Sequence, residues 1–324
     1  MKNLLTIVSV MLMTFVFFSC EKDALVTPTN PQTHLSFDTW EDFMSTLEQL
    51  TTDEAFSDEW HNTVEITTLY TYEDQMHEEF ATVKDETDFK AFSKKYDGYF
   101  TFEDRTLRST YKLGHLKYLL NEKGIVQING MIQQFLPDDR VITIGDGDMN
   151  KLKQAANMKT SDEDNLIFIT KINRQSSLDK GVIVSDGCDK VSANGDWKVE
   201  GEICLEGWAT PILNNSVPTG VWNTGWIVTA EATSYNDGWF GWYKRRADLE
   251  ISGWFRVLIN GSGNTTGFSG SKRDTKTYTI SKSGSSGTVD MNITGSFFPI
   301  LDLSPYSMDY ELNADGQSAN CTAD

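Results

Sequence analysis

Apolar side chains recur every three or four positions in the segment that begins near residue 37. This spacing is that of one face of an α-helix. The positions are Phe37, Trp40, Phe43, Met44, Leu47 and Leu50. Asp38, with Glu41 three residues later, predicts the N-terminal cap of this helix. Acidic amphipathic segments over 54–80 and 86–96, and a segment over 107–120, predict further helices.

The hydrophobic period changes to two near residue 124. Short alternating runs flank Asn129-Gly130, and this dipeptide between two such runs is a strong signal for a β-hairpin. Further short strands are predicted at 141–144 and 166–169. Residues 36–175 are therefore predicted to form an α+β domain, in which helices accompany a short β-hairpin. The polar residues of 176–195 are predicted to be a linker.

The rest of the chain alternates between apolar and polar residues along several strands. The strand that starts at Trp197 has Lys198 and Glu200 at its polar positions, and a strand predicted around 242–256 shows the same pattern. One apolar and one polar face predict antiparallel sheets with solvent on the polar side. Residues 196–324 are therefore predicted to form an all-β antiparallel sandwich or a partly closed barrel.

The N-terminus carries a targeting signal. Leu4 to Phe18 is a run of 15 residues without a charged side chain. It is shorter than the ~20 apolar residues of a spanning helix and is typical of a signal-peptide core. Ser19-Cys20 follows directly and resembles the lipobox of bacterial lipoproteins. The resemblance implies cleavage of residues 1–19 and lipidation of Cys20, while an ordinary signal peptide cut elsewhere is the alternative.

A polar segment separates this cysteine from the first predicted helix. Glu21-Lys22-Asp23 resembles the surface-export signals of Bacteroidota lipoproteins. The following residues include Pro28 and Pro31 in a polar composition that cannot pack a core. Residues 20–35 are therefore predicted to be a tether, and the protein is predicted to lie at the outer membrane or cell surface.

The charge balance excludes one class of partner. The 324 residues include 28 Lys and Arg against 47 Asp and Glu, which gives a net charge of −19. Nucleic-acid binding requires basic side chains that neutralise phosphates, so no nucleic-acid partner is predicted. Adhesion to anionic lipid is disfavoured for the same reason, and contact with the membrane is predicted only through the N-terminal lipid.

Three features together resemble a family of bacterial surface proteins. They are Cys20 in its lipobox, the stretch 119–130 with its hairpin dipeptide, and Arg245-Arg246-Ala247-Asp248 flanked by Trp and Gly. In this combination the chain is similar to uncharacterised secreted or surface lipoproteins of Bacteroidota. The resemblance implies an envelope protein, and it implies no catalytic activity.

The residues that usually carry metal or nucleophile chemistry are sparse. His77-Glu78-Glu79 begins like a metalloprotease helix, but no second histidine follows at the required spacing. The last of the four histidines is His115, so the β region holds no Ser–His–Asp unit of its own. The sequence therefore predicts neither a metal site nor a cofactor.

A ligand-binding surface is predicted on the strand around 242–256. Trp242 and Trp254 share its polar face with Arg246, and exposed tryptophans beside charged donors stack on sugar rings. The two tryptophans would lie ~40 Å apart on one straight strand, so a single platform requires the strand to bend or break. The alternative is that a second layer buries both rings, as happens to most large aromatic side chains.

The cysteines predict one disulfide. Cys188, Cys204 and Cys321 remain after lipidation, and an oxidising compartment permits them to pair. Cys188 opens the β domain and Cys321 closes it, and the ends of a domain often lie close together. A Cys188–Cys321 bridge is favoured, with pairs that involve Cys204 and three reduced thiols as alternatives.

Taken together, these features predict a lipid-anchored cell-envelope protein with a non-enzymatic binding or assembly role. Its partner would be a glycan or another surface protein. One alternative is a glycan-binding surface module that uses the tryptophans of the β domain. The other is a glycoside hydrolase with two carboxyl groups about 5–10 Å apart, a separation that the sequence does not reveal.

Overall fold

The computed structural model of the protein describes residues 33–176, 189–191, 195–265, 268–286, 288–296, 300–314 and 317–323. For the strands after residue 253 the description is of the backbone alone. Thr33–Asp324 forms one compact unit. The predicted signal peptide, Cys20 and Cys188 lie outside the described residues.

Helices dominate the first third of the described chain, as predicted. They are α1 (Trp40–Thr52), α2 (Glu54–Thr63), α3 (Leu69–Ala81), α4 (Glu86–Lys95) and the short α5 (Asn150–Ala155), with single 3-10 turns at Gly114–Tyr118 and Glu163–Asn165. The cap of α1 lies one residue later than predicted. The Thr39 hydroxyl accepts the backbone N–H of Asp42 at 3.0 Å, and the Asp42 carboxylate accepts that of Thr39 at 3.1 Å.

The strands form three sheets. They are β1 (Leu35–Phe37), β2 (Phe100–Glu103), β3 (Thr106–Ser109), β4 (Ile125–Ile128), β5 (Met131–Phe135), β6 (Arg140–Ile144), β7 (Ile167–Lys171), β8 (Asn173–Ser176), β9 (Asp189–Val191), β10 (Trp197–Asn214), β11 (Val217–Asp237), β12 (Trp242–Lys244), β13 (Ala247–Thr265), β14 (Phe268–Ser286), β15 (Thr288–Ser296), β16 (Ile300–Ala314) and β17 (Gln317–Ala323). The predicted helix over 107–120 is wrong, because its first residues pair with β2 as strand β3.

The first sheet has the order β1-β4-β5-β6-β7. Its β4–β5 hairpin turns at Asn129 and Gly130, both with positive φ (51° and 74°), which confirms the predicted hairpin. β1 runs parallel to β4 at the edge of this sheet. Its first residue, Leu35, is the last residue of the predicted tether.

The second sheet joins strands from both sides of the predicted linker. Its order is β2-β3-β12-β11-β10-β8, with β15 also on β11 and β9 also on β10. Phe43 and Leu47 of α1 belong to the same buried cluster as Trp208 of β10 and Ile227 of β11. The two predicted domains, 36–175 and 196–324, thus share a sheet and a core, and their independent folding stays a prediction.

The third sheet has the order β14-β13-β16-β17, with every neighbouring pair antiparallel. Its strands β16 and β13 contact β10 and β11 of the second sheet. An α+β region followed by an antiparallel, sandwich-like β region is therefore confirmed. The prediction of a single strand around 242–256 is wrong. The strand ends at Lys244, and the chain then passes from the second sheet to the third.

Candidate functional site

The residues predicted to bind a ligand are separated by this break. Trp242 is half-buried in β12, and the Lys198 ammonium lies 5.3 Å from its ring centroid. Arg246 is exposed in the link between β12 and β13, while the side chain of Trp254 lies outside the described ones. The Trp242 ring therefore contacts a cation of the protein itself, and a sugar site built on these three residues stays a prediction.

A largely buried ion cluster lies between helix α3 and strand β12. Both oxygens of Glu73 are used, because Oε2 accepts from Lys117 Nζ at 2.5 Å and Oε1 from Lys244 Nζ at 3.1 Å. Burial alone would raise the pKa of Glu73, but the two ammonium groups outweigh it and hold that pKa well below its usual range. We call Glu73, Lys117, Lys244 and His77 the inner ion cluster.

The histidine of this cluster is neutral. Burial, and then the positive charge of Lys244, lower the pKa of His77 to about 3. The backbone N–H of Lys244 donates to Nδ1 of His77 at 3.4 Å, so Nδ1 is an acceptor and the ring proton resides on Nε2. Burial also lowers the pKa of Lys244, but the carboxylates of Glu73 and Asp74 outweigh it and raise that pKa above its usual range.

Side chains that the strand pattern assigned to solvent are also buried. Lys198 is only 7% exposed. Its ammonium contacts the Glu200 carboxylate and donates to Thr106 Oγ1 at 2.7 Å. Arg108 of β3 donates to Glu200 at 2.5 Å and to the Tyr235 hydroxyl at 3.2 Å. The expectation of solvent around Lys198 and Glu200 is therefore wrong, because polar side chains of β3 contact both of them.

The inner ion cluster and the charged group of Lys198, Glu200 and Arg108 meet across the sheet. Lys198, Tyr235 and Lys244 are direct register neighbours on β10, β11 and β12. Because Glu73 is held ionised by two lysines, it is suited to clamping α3 against β12 rather than to donating a proton. The glycoside hydrolase alternative stays a prediction.

The turn between β11 and β12 carries an exposed aromatic side chain. Trp239 is 75% exposed, the largest value among the large apolar side chains that the structure describes. The backbone N–H of Gly238 donates to the carbonyl of Gly241 at 2.9 Å and closes the turn. A Cβ at Gly241 would lie 2.2 Å from the Arg105 carbonyl oxygen, so the close approach of these two turns requires glycine.

Aromatic rings from two elements, α4 and β2, support this turn. Phe240 stacks on Phe89 of α4, with centroids 4.5 Å apart and planes at 12°. Phe102 of β2 lies 6.2 Å from Phe89. Arg105, in the turn between β2 and β3, donates from Nη2 to Asp237 Oδ1 at 3.1 Å. We call Trp239, Phe240, Arg105 and Asp237 the Trp239 tip.

Sequence reasoning missed the Trp239 tip. Seven tryptophans follow residue 190, and alternation alone does not tell an exposed one from the others. A usable signal was present in Asn236-Asp237-Gly238, a run of turn-forming residues directly before Trp239. A large aromatic residue within a predicted turn is more exposed than one within a strand.

The described residues contain neither a membrane-spanning helix nor a metal-binding cluster. None of the helices there has the length and hydropathy required to cross a bilayer. No three side chains among the described His, Cys, Asp and Glu are grouped so that they could hold a metal ion.

Comparisons with known proteins give a structural likeness but no family. The sequence matches no protein-family model and no curated protein. The chain is similar to the crystal structure of a DUF4848 family protein from Bacteroides thetaiotaomicron VPI-5482, with 15% identity and a TM-score of 0.29. The match covers 90% of this chain and 96% of that chain. At this TM-score the likeness carries no argument about function.

Proposed function

We propose that the chain is a lipid-anchored protein of the bacterial cell envelope whose role is to bind, or assemble with, another surface component. The anchor is supported by the sequence: an uncharged run ends at Ser19-Cys20, and polar residues begin directly after it. The resemblance to Bacteroidota surface lipoproteins supports the same location.

The observation that carries the binding role is the exposure of Trp239 on a fixed aromatic base. A tryptophan that stays 75% exposed forgoes most of the free energy that its burial would supply. Tryptophan is also among the residues most enriched at the energetic centres of interfaces. Stacking of Phe240 on Phe89 fixes the turn, so a partner meets a preformed surface.

The charged interior supports a binding role over a catalytic one. Glu73 bridges Lys117 and Lys244, and Glu200 bridges Lys198 and Arg108. Each of these carboxylates is neutralised by cations, which suits a framework that holds helices on a sheet.

The anchor is tested by metabolic labelling with an alkyne-tagged fatty acid in a Bacteroidota host. We expect the wild-type chain to incorporate the label, to fractionate with the outer membrane and to be cleaved by protease added to intact cells. The variant Cys20→Ala should lose the label, while the matched control Cys204→Ala should keep it. An unmodified mature wild-type chain that begins at a residue other than Cys20 would overturn the proposal.

A further inference from the structure

We infer that the Trp239 tip is a contact site for the ring of a neutral sugar, with the indole as the stacking surface and Arg105 and Asp237 as hydroxyl partners. This inference rests on the proposed binding role and names its ligand class. It moves the site away from Trp242, whose ring contacts Lys198.

The apolar half of the site is a flat, exposed ring. The ring centroids of Trp239 and Phe240 lie 6.5 Å apart with their planes at 29°, so the indole extends the stack of Phe240 on Phe89, two rings that are partly buried. A pyranose ring presents one face of C–H groups, which packs against the electron-rich face of an indole. A ligand for this ring therefore needs a flat apolar face.

The polar half of the site is the Arg105–Asp237 ion pair, whose aspartate lies two positions before Trp239 in the chain. The side chains of Arg105 and Asp237 are 59% and 34% exposed, so both have hydrogen-bonding capacity towards solvent. A guanidinium only donates and a carboxylate only accepts, whereas a hydroxyl group does both. The pair has no net charge, so it suits an uncharged, hydroxyl-rich ligand better than an anion or a cation.

The backbone connects the apolar half of the site, Trp239, with its polar half, Arg105 and Asp237. Asp237 is the last residue of β11, two positions before Trp239, and the backbone N–H of Trp242 donates to the carbonyl of Arg105 at 2.7 Å. The β2–β3 turn and the β11–β12 turn are thus bonded to each other before any ligand arrives. Such preorganisation lowers the entropy cost of binding.

A lipid surface fits the tip less well. The chain carries a net charge of −19, which opposes approach to anionic lipid. Insertion of the single exposed ring would also bring the Arg105–Asp237 pair to the headgroup region and would require its partial desolvation.

The test is affinity electrophoresis of the detergent-solubilised full chain in gels that contain dextran, galactomannan, xyloglucan, arabinoxylan or yeast mannan. We expect at least one of these polysaccharides to retard the wild-type chain. Trp239→Ala should weaken the apparent affinity about tenfold or more, in keeping with the truncation of a tryptophan at the centre of a contact. Trp239→Phe should retain part of the affinity, and Arg105→Gln should weaken it several-fold.

The matched control is Val217→Ala. Val217 is 62% exposed and begins β11, at the opposite end of the strand from the tip, so this variant should be retarded like the wild type. Thermal unfolding of Trp239→Ala should match that of the wild type, because the side chain is exposed.

Three results would overturn the inference. They are a wild-type chain that none of the five polysaccharides retards, equal retardation of the wild type and Trp239→Ala, and Trp239-dependent flotation with phosphatidylcholine vesicles without retardation by any polysaccharide. Each is separable from failure of the anchor, since retardation does not require lipidation. If the chain is lipidated but no polysaccharide retards it, the sugar site is refuted and the lipid anchor is not.

Discussion

The side-chain ammonium of Lys244 lies 3.1 Å from Oε1 of Glu73, and this contact joins strand β12 to helix α3. Lys117, from the 3-10 turn at Gly114–Tyr118, occupies the other oxygen of the same carboxylate. One glutamate therefore ties three elements together. Because β12 follows the Trp239 tip directly, the same contact fixes one side of the tip.

Removal of the charge of Glu73 should destabilise the fold strongly. The change Glu73→Gln removes the carboxylate that Lys117 and Lys244 both contact, and breaking a largely buried ion pair in this way costs about 3–5 kcal/mol. Urea unfolding at neutral pH measures the loss.

The matched control is Glu86→Gln, whose carboxylate lies 3.6 Å from Lys90 with both side chains at least 75% exposed. It should change the free energy of unfolding by less than about 0.5 kcal/mol, and an equal effect of both substitutions would contradict this role of the inner ion cluster.

Stability should fall below neutral pH because of His77. Its pKa is lowered to about 3 in the folded chain, from 6.5 in a model peptide, so below pH 6.5 the unfolded chain binds a proton that the folded chain does not. The free energy of unfolding then falls by about 1.4 kcal/mol for each pH unit as the pH drops from 6.5 towards 3. Unfolding curves at pH 7, 6 and 5 measure this slope.

The variant His77→Gln isolates that contribution. Glutamine keeps a hydrogen-bond acceptor near the backbone N–H of Lys244 but has no group that titrates between pH 5 and 7. We expect the slope of this variant to be shallower than that of the wild type over this range. Identical slopes would assign the acid sensitivity to other groups.

The bridge between Cys188 and Cys321 stays a prediction, because Cys188 lies outside the described residues. β9 begins at Asp189, the residue after Cys188, and β9 contacts β17, in which Cys321 pairs with Tyr310. We expect unreduced peptide maps of the mature protein to contain one linked peptide with these two cysteines. The double variant Cys188→Ala/Cys321→Ala should lose ~4–5 kcal/mol of stability in the chain-entropy account of a long closed loop. A linked peptide that contains Cys204 would contradict the prediction.

The periodic part of the fold was predictable from local patterns. The helical repeat placed Trp40, Phe43 and Leu47 on one face, and all three are buried in the shared core. The hairpin at Asn129-Gly130 was predictable because positive φ at both positions strongly restricts the residues that fit there.

The candidate site was less predictable, because it depends on contacts that are distant in sequence. Alternation at Lys198 and Glu200 distinguishes two sides of a strand but does not say what covers each side. Here the partners are Thr106 and Arg108, about ninety positions earlier in the chain. The exposure of Trp239 likewise depends on how the β2–β3 turn and α4 meet the β11–β12 turn, and no local pattern contains that information.

The parallel pairing of β1 with β4 bears on how a tethered protein carries mechanical load. A pull transmitted along the chain from Cys20 enters the described fold just before Leu35, at a strand held by three register pairs. Force along that strand loads its backbone hydrogen bonds together, in shear, rather than opening them one by one. The packing of Phe37 on Phe43, with ring centroids 5.3 Å apart, adds an apolar anchor at the far end of the strand. Under the proposed anchoring at Cys20, tension would thus be borne first by a three-residue strand and one phenylalanine, before it reached the sheet that carries the tip.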